Sequence, residues 1–178
     1  MGKRLEIKKM ALAAMFMAMG LIMPFLTAQM QEIGNRLLPM HLPVIFCGFF
    51  CGAPYGFVVG LCVPILRSIL FQMPVLMPNA LAMAFELAAY GFFVGFFYKR
   101  FWNKRCGIYI SLILAMLFGR VVWGMASFLL YQLLSKGFTW QMFVLGAFTN
   151  AIPGIIIQLL LVPFAVYQMR RLTQLERD

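Results

Sequence analysis

Six apolar runs, separated by short polar or turn-rich stretches, organise the chain: roughly residues 10–27, 37–52, 55–71, 79–98, 107–134 and 141–167. About 20 predominantly apolar residues at helical rise cross a bilayer. The pattern therefore predicts an all-α membrane protein, a single domain over 1–178 built as a bundle of six transmembrane helices. Pro24 closes the first run, and Pro64 inside the third predicts a kink or an unwound turn. The uncharged stretch 52–56, GAPYG, reads as a tight turn. Residues 72–78 read as a loop, with Asn79 as N-cap of the fourth helix.

Composition supports the same class. The 178 residues are 63% hydrophobic and 11% charged, against roughly 45–50% and 25% in a soluble domain. The positive charges are distributed unevenly. Lys3, Arg4, Lys8 and Lys9 precede the first run, four more basic residues fill 99–105, and three follow the last run. The opposite ends of the helices hold only Arg36 and Lys136. Basic residues gather on the cytoplasmic side, so both termini and the 99–105 loop, with its interfacial Trp102, are expected there. The net charge of +10 then expresses topology and attraction to anionic membrane lipid, with no nucleic-acid partner needed.

The basic start and apolar run at the N-terminus resemble a signal peptide. Bulky Met and Phe throughout, and the lack of an A-x-A cleavage site, make it the first membrane helix instead. Cys47, Cys51, Cys62 and Cys106 form no CxxC pair and read as small hydrophobes. Five acidic residues and one histidine leave little for a carboxylate relay or a metal centre, and no cofactor is expected.

Three charges fall inside the apolar runs: Arg67, Glu86 and Arg120. Charge at membrane depth is costly and usually marks a paired or functional group. At helical spacing Asn79, Met83, Glu86 and Tyr90 share one stripe. On the fifth helix Arg120, Trp123, Ser127 and Tyr131 share a face, with Gly124 beside it, and on the sixth so do Asn150, Gly154 and Gln158. A rise of about 1.5 Å per residue puts Glu86 about 10 Å and Asn150 about 14 Å below the outer helix ends, with Arg120 near the bilayer middle. Glu86 and Arg120 are thus either a structural ion pair or part of an outward-opening polar pocket with Asn79, Trp123, Asn150 and Gln158. His41 fits packing or binding. Arg67, about one turn below its helix end, fits carbonyl capping, snorkelling or binding. Ala14 and Ala18 form a small-xxx-small pair, suited to packing within the bundle or docking to another subunit.

The stretch 37–52, LLPMHLPVIFCGFFCG, followed by 55–60, YGFVVG, and 64–70, PILRSIL, resembles the substrate-binding S components of energy-coupling factor (ECF) vitamin transporters. The loop 72–78, QMPVLMP, leading into 82–91, AMAFELAAYG, extends the match, as do the six-run layout and the Ala14/Ala18 pair. The resemblance implies a multi-pass protein of a prokaryotic plasma membrane. Such a protein binds a water-soluble vitamin near its outer face and associates with a membrane scaffold subunit and two cytoplasmic ATPases. It also implies a pocket built from helices four to six and outer loops one, three and five, with the alanine pair facing the scaffold, and a transport step in which the subunit topples in the membrane. The chain has no GxxxxGK[ST] phosphate loop, so ATP hydrolysis would come from its partners.

An embedded Arg120 favours a carboxylate or phosphate on the ligand. Residues 37–91 are similar to the pantothenate branch, with folate, a B6 vitamer and riboflavin as further candidates. Two other readings compete. One is an intramembrane enzyme using Glu86 and His41, for which no HExxH or paired-acid motif is present. The other is a non-catalytic membrane interaction protein whose Glu86–Arg120 pair is structural.

Overall fold

The computed structural model describes residues 2–27, 36–102, 104 and 106–175. Every regular element among them is helical. Helix α1 (Gly2–Ile22) runs into a 3-10 turn, Met23–Thr27, so its α-helical geometry ends just before Pro24. Helix α2 (His41–Cys51) is followed at once by α3 (Ala53–Phe71). A π turn, Leu76–Ala80, leads into α4 (Leu81–Arg100), and α5 spans Gly107–Leu133. The sixth apolar run is divided: α6 (Trp140–Val144), a π turn (Leu145–Thr149), and α7 (Ile152–Leu175).

The all-helical class and the six-segment layout match the sequence pattern, but the first and second segments, like the divided sixth, differ in detail. Residues 53–71, 76–100, 107–133 and 140–169 are long and apolar enough to cross a membrane. Helix α2 has only 11 residues, about 16 Å at helical rise, half of a ~30 Å hydrocarbon core. Its unusual apolarity has another cause: nine of its residues are buried by neighbouring helices. Helix α1 starts well before Met10, because nothing in 2–9 breaks a helix and Lys, Arg and Glu are good helix formers. Helix α3 continues through Pro64, forgoing the hydrogen bond that the proline nitrogen is unable to donate.

Asn79 does not cap α4. The cap position is Ala80, which makes no side-chain capping bond. The π turn satisfies the backbone instead, with the Ala80 N–H donating to the Val75 carbonyl at 2.9 Å. The Asn79 side chain is left for another use. Of the first polar interruption, 29–36, only Arg36 lies within the described residues, and Asn103 and Arg105 of the basic loop also lie outside them.

Helix α4 is the centre of the fold. On one side it joins α2, α5 and α7 in a core that includes Ile45, Tyr90, Val94, Leu112 and Val162. On another, Leu87 meets Ala13, Phe16, Val44, Cys47, Val59 and Val63 from α1, α2 and α3. Contact with α3 is backbone to backbone. A Cβ added at Gly56 would collide with Gly91, and one at Gly91 with Gly56. Such close approach is how small residues bind membrane helices together, by dispersion rather than by exclusion of water. Any polar residue on the middle of α4 is thereby enclosed by protein. Glu86 is that residue.

Candidate functional site

Where α4, α5, the start of α2 and the divided sixth segment come together, they enclose a cavity of about 340 Å³. Asn79, Met83 and Glu86 reach it from α4 and its leading turn. Arg120, Trp123, Ser127 and Tyr131, spaced by three, four and four residues, line it from α5, the spacing of one helical face. His41 enters from α2, and Gly146 and Asn150 from the π turn and the residue after it.

At the base of the cavity, Arg120 Nη1 donates to Glu86 Oε1 at 2.7 Å. The Glu86 carboxylate also lies 3.5 Å from His41 Nε2. All three are enclosed: Arg120 is 5% exposed, Glu86 2% and His41 fully buried. The His41 ring meets Tyr90 edge to face at 5.2 Å, so the stripe predicted on α4 continues downward as the support of the histidine. The guanidinium is only partly satisfied, since Nε and Nη2 are buried without a hydrogen-bond partner among the described residues. These two N–H groups lie along one edge of the planar fork, the edge that matches the two oxygens of a carboxylate. Leaving such donors unmade in a buried site costs about 1–3 kcal/mol, more where the group is charged.

Aromatic rings shape the upper wall. Trp123 packs against Phe138 at 6.2 Å and Phe143 at 6.2 Å, and Tyr131 packs against Phe138 at 5.4 Å. Gly146 lies so near the Trp123 ring that any side chain there would strike it, and the space beside Gly124 is filled by Phe143 in the same way. The indole is thus held in place by the π turn and the 134–139 loop.

Six residues singled out from sequence line this one cavity: His41, Asn79, Glu86, Arg120, Trp123 and Asn150. Two do not. Gln158 is wholly buried on α7, away from the lining, with both amide atoms unpartnered among the described residues. It stands eight residues, about 12 Å, further along the segment than Asn150, beyond Gly154, which packs against the backbone of Arg36 and Leu37. Arg67 serves α1 instead. Its Nη1 donates to the Leu21 carbonyl at 2.6 Å, and the guanidinium sits between the Phe25 and Phe71 rings at 5.1 and 5.3 Å. A cation on a last-turn carbonyl is favoured by the helix dipole.

Leu38, Pro74, Phe138 and Met142 also line the cavity. They come from loops and a short helix whose positions no periodicity specifies. Ala14 and Ala18 lie far from it, exposed on the outer face of α1, while Ala13 and Phe16 of the same helix are buried. Cys47 and Cys51 are buried in the core, Cys62 is partly buried and Cys106 is exposed.

Comparison with known proteins gives one family. The model of the ECF transporter substrate-specific component family matches residues 8–166, which takes in α2 to α6 whole and every cavity-lining residue. No curated protein and no solved structure matches the chain.

Proposed function

The chain belongs to the ECF transporter substrate-specific component family, an integral membrane transport subunit and not an enzyme, and from that premise we propose that its cavity captures a small carboxylated vitamin, pantothenate first. The observation that carries this reading is the half-satisfied Arg120 fork. Glu86 occupies Nη1 and fixes the guanidinium plane, while Nε and Nη2, closed off from the cavity with the Tyr90 hydroxyl nearby, make no hydrogen bond among the described residues. A shift of the guanidinium toward the cavity would let a ligand carboxylate complete the fork without displacing Glu86, so the acid positions the arginine rather than meeting the ligand.

The rest of the lining suits a compact polar molecule. Asn79, Ser127 and Asn150 offer neutral hydrogen-bonding groups, and Trp123 and Tyr131 offer apolar faces. A volume of about 340 Å³ is near the lower end for small-molecule sites. That favours a short acid over folate, whose ring system and tail need more room. The aromatic wall keeps a B6 vitamer or riboflavin as competing ligands. Delivery to the cytoplasm would then require a membrane scaffold and two ATPases, with both termini and the 99–105 loop on the cytoplasmic side. Asn79, Asn150, Trp123 and His41 contact the ligand in this reading; Arg67 and Gln158 act on the fold.

Equilibrium binding of a vitamin panel to the purified full chain tests it. Micromolar or tighter binding of pantothenate, competed by other small carboxylates and lost in Arg120→Ala, is the expected result. Binding of none of the panel, or of riboflavin alone with Arg120→Ala unaffected, refutes the carboxylate assignment.

A further inference from the structure

The end of the bundle opposite the vitamin cavity holds a second, more open concavity of about 1050 Å³. Three cations from two distant parts of the chain meet there: Lys9 from α1, and Lys99 and Arg100 from the last turn of α4. Among the described residues no acidic side chain lines it. Among the described residues none of the three cations makes a salt bridge. The nearest acid in sequence on α1 is Glu6, one turn away and exposed. Three like charges gathered in one concavity repel one another unless an anion joins them.

The other walls narrow the choice of anion. Tyr55, Tyr98 and Trp102 line the same concavity, and Trp102 meets Tyr98 edge to face at 5.1 Å. Tyr and Trp concentrate at the depth of lipid headgroups, where one end of the ring is apolar and the other wet. The floor lies where the turn between α2 and α3 crosses α4: a side chain at Gly95 would strike the backbone of Gly52 and Ala53. Phe96, 52% exposed, carries the apolar lining out to the lipid-facing surface. Cations at the rim, aromatics at headgroup depth and an apolar exit toward lipid together match one amphiphile rather than a free ion.

We propose that this concavity is a binding site for a single anionic phospholipid, its headgroup phosphate held by Lys9, Lys99 and Arg100 and its acyl chains leaving past Phe96. Basic pockets between membrane helices are a recurrent way of holding anionic headgroups. The site links the start of α1 to the end of α4, so an occupied site braces these two helices against each other. It is independent of which vitamin the other cavity takes.

Native mass spectrometry of the detergent-purified full chain, equilibrated with equimolar POPG and POPC, provides the test. The wild-type chain is expected to retain POPG in preference to POPC. Lys9→Gln/Lys99→Gln/Arg100→Gln should lose that preference by about a hundredfold, from roughly fivefold per cation near an anionic surface. Lys3→Gln/Arg4→Gln/Lys8→Gln removes as many charges from the same end of the bundle without touching the lining, and should keep it. Equal retention of the two lipids, or equal loss in both triple variants, overturns the proposal in favour of a diffuse basic surface. Displacement of POPG by millimolar inorganic phosphate also overturns it, since a free anion would then suffice. Should the lining triple fail to fold, Lys99→Gln against Lys3→Gln decides by the same measurement, with about a fivefold loss expected only in the former.

Discussion

Arg120 and Glu86, 34 residues apart in sequence, meet at 2.7 Å inside the helix bundle, and only one of the arginine's nitrogens is used in the meeting. Two functions are thereby divided between two residues. Glu86 neutralises and orients; Nε and Nη2 of Arg120 make no hydrogen bond among the described residues. Replacing Arg120 with Ala is expected to weaken a carboxylate ligand by about 2–3 kcal/mol, the worth of a charge-assisted hydrogen bond. Lys should rescue only in part, since a point charge lacks the planar fork. Isothermal titration with the preferred vitamin reads both, and unchanged affinity in Arg120→Ala would remove the arginine from the site.

Glu86 should show its role in stability as well as in binding. In Glu86→Ala the guanidinium stays buried with no counter-charge, a situation that costs about 3–5 kcal/mol in buried pairs. The melting temperature in detergent should fall sharply in this variant. The double variant Glu86→Gln/Arg120→Met should recover most of the loss, because no uncompensated charge remains. A double variant no more stable than Glu86→Ala would show that the pair is not the source of the effect.

For Arg67 the expectation is the reverse of that for Arg120. Arg67→Met removes the bond to the Leu21 carbonyl and the contacts with Phe25 and Phe71. A stability loss of roughly 1.5–3 kcal/mol follows from a charged hydrogen bond, with vitamin affinity unchanged because Arg67 does not line the cavity. Titration and thermal unfolding of the same preparation separate the two effects. A large drop in affinity at normal stability would return Arg67 to the ligand.

Gly91 tests the architecture. Its Cα faces the Gly56 backbone with no room for a Cβ, so Gly91→Leu must force α3 and α4 apart. The cost is expected at the upper end of, or beyond, the ~1–3 kcal/mol typical of overpacking. Loss of a monodisperse peak in size-exclusion chromatography is the readout. Wild-type behaviour would mean that the crossing is looser than the geometry requires.

Ala14 and Ala18 lie exposed on a helix whose opposite face is buried, an arrangement that leaves them open to a scaffold subunit. Ala14→Leu/Ala18→Leu should bind vitamin as well as wild type yet abolish uptake in cells supplying the scaffold and ATPases. Normal uptake by this variant would place the docking face elsewhere on the surface.

Several of these relationships were legible before any coordinates. Glu86 and Arg120 stood out because charge inside an apolar run is expensive, and that expense demands a partner wherever the helices end up. Asn79 and Trp123 followed by helical spacing from the same two anchors, Asn150 by its depth on the sixth segment, and His41 stayed open between packing and binding. Gln158 and Arg67 do not line the cavity, for different reasons. Gln158 shares a face with Asn150 but lies about 12 Å deeper, past Gly154 and the 36–37 backbone packed on it, and no local pattern marks where a cavity ends. Arg67 is as apolar in its sequence surroundings as Arg120, but its neighbour in space is the end of α1. Asn79 lines the cavity but does not cap the helix, because the π turn at 76–80 satisfies the backbone that the side chain was expected to serve.

By itself the sequence determined the solvent, the number of helical segments and the residues too polar to face lipid, because transfer of charge and of unpaired backbone into hydrocarbon is costly whatever the tertiary arrangement. Only the tertiary structure decided which polar residues share a cavity, that α2 is a short helix enclosed by its neighbours, and which edge of the Arg120 fork makes no hydrogen bond among the described residues. Those depend on how close two backbones come at Gly56 and Gly91 and on where a turn interrupts the helical register. Such distances are set by packing among residues far apart in the chain, and no local pattern encodes them.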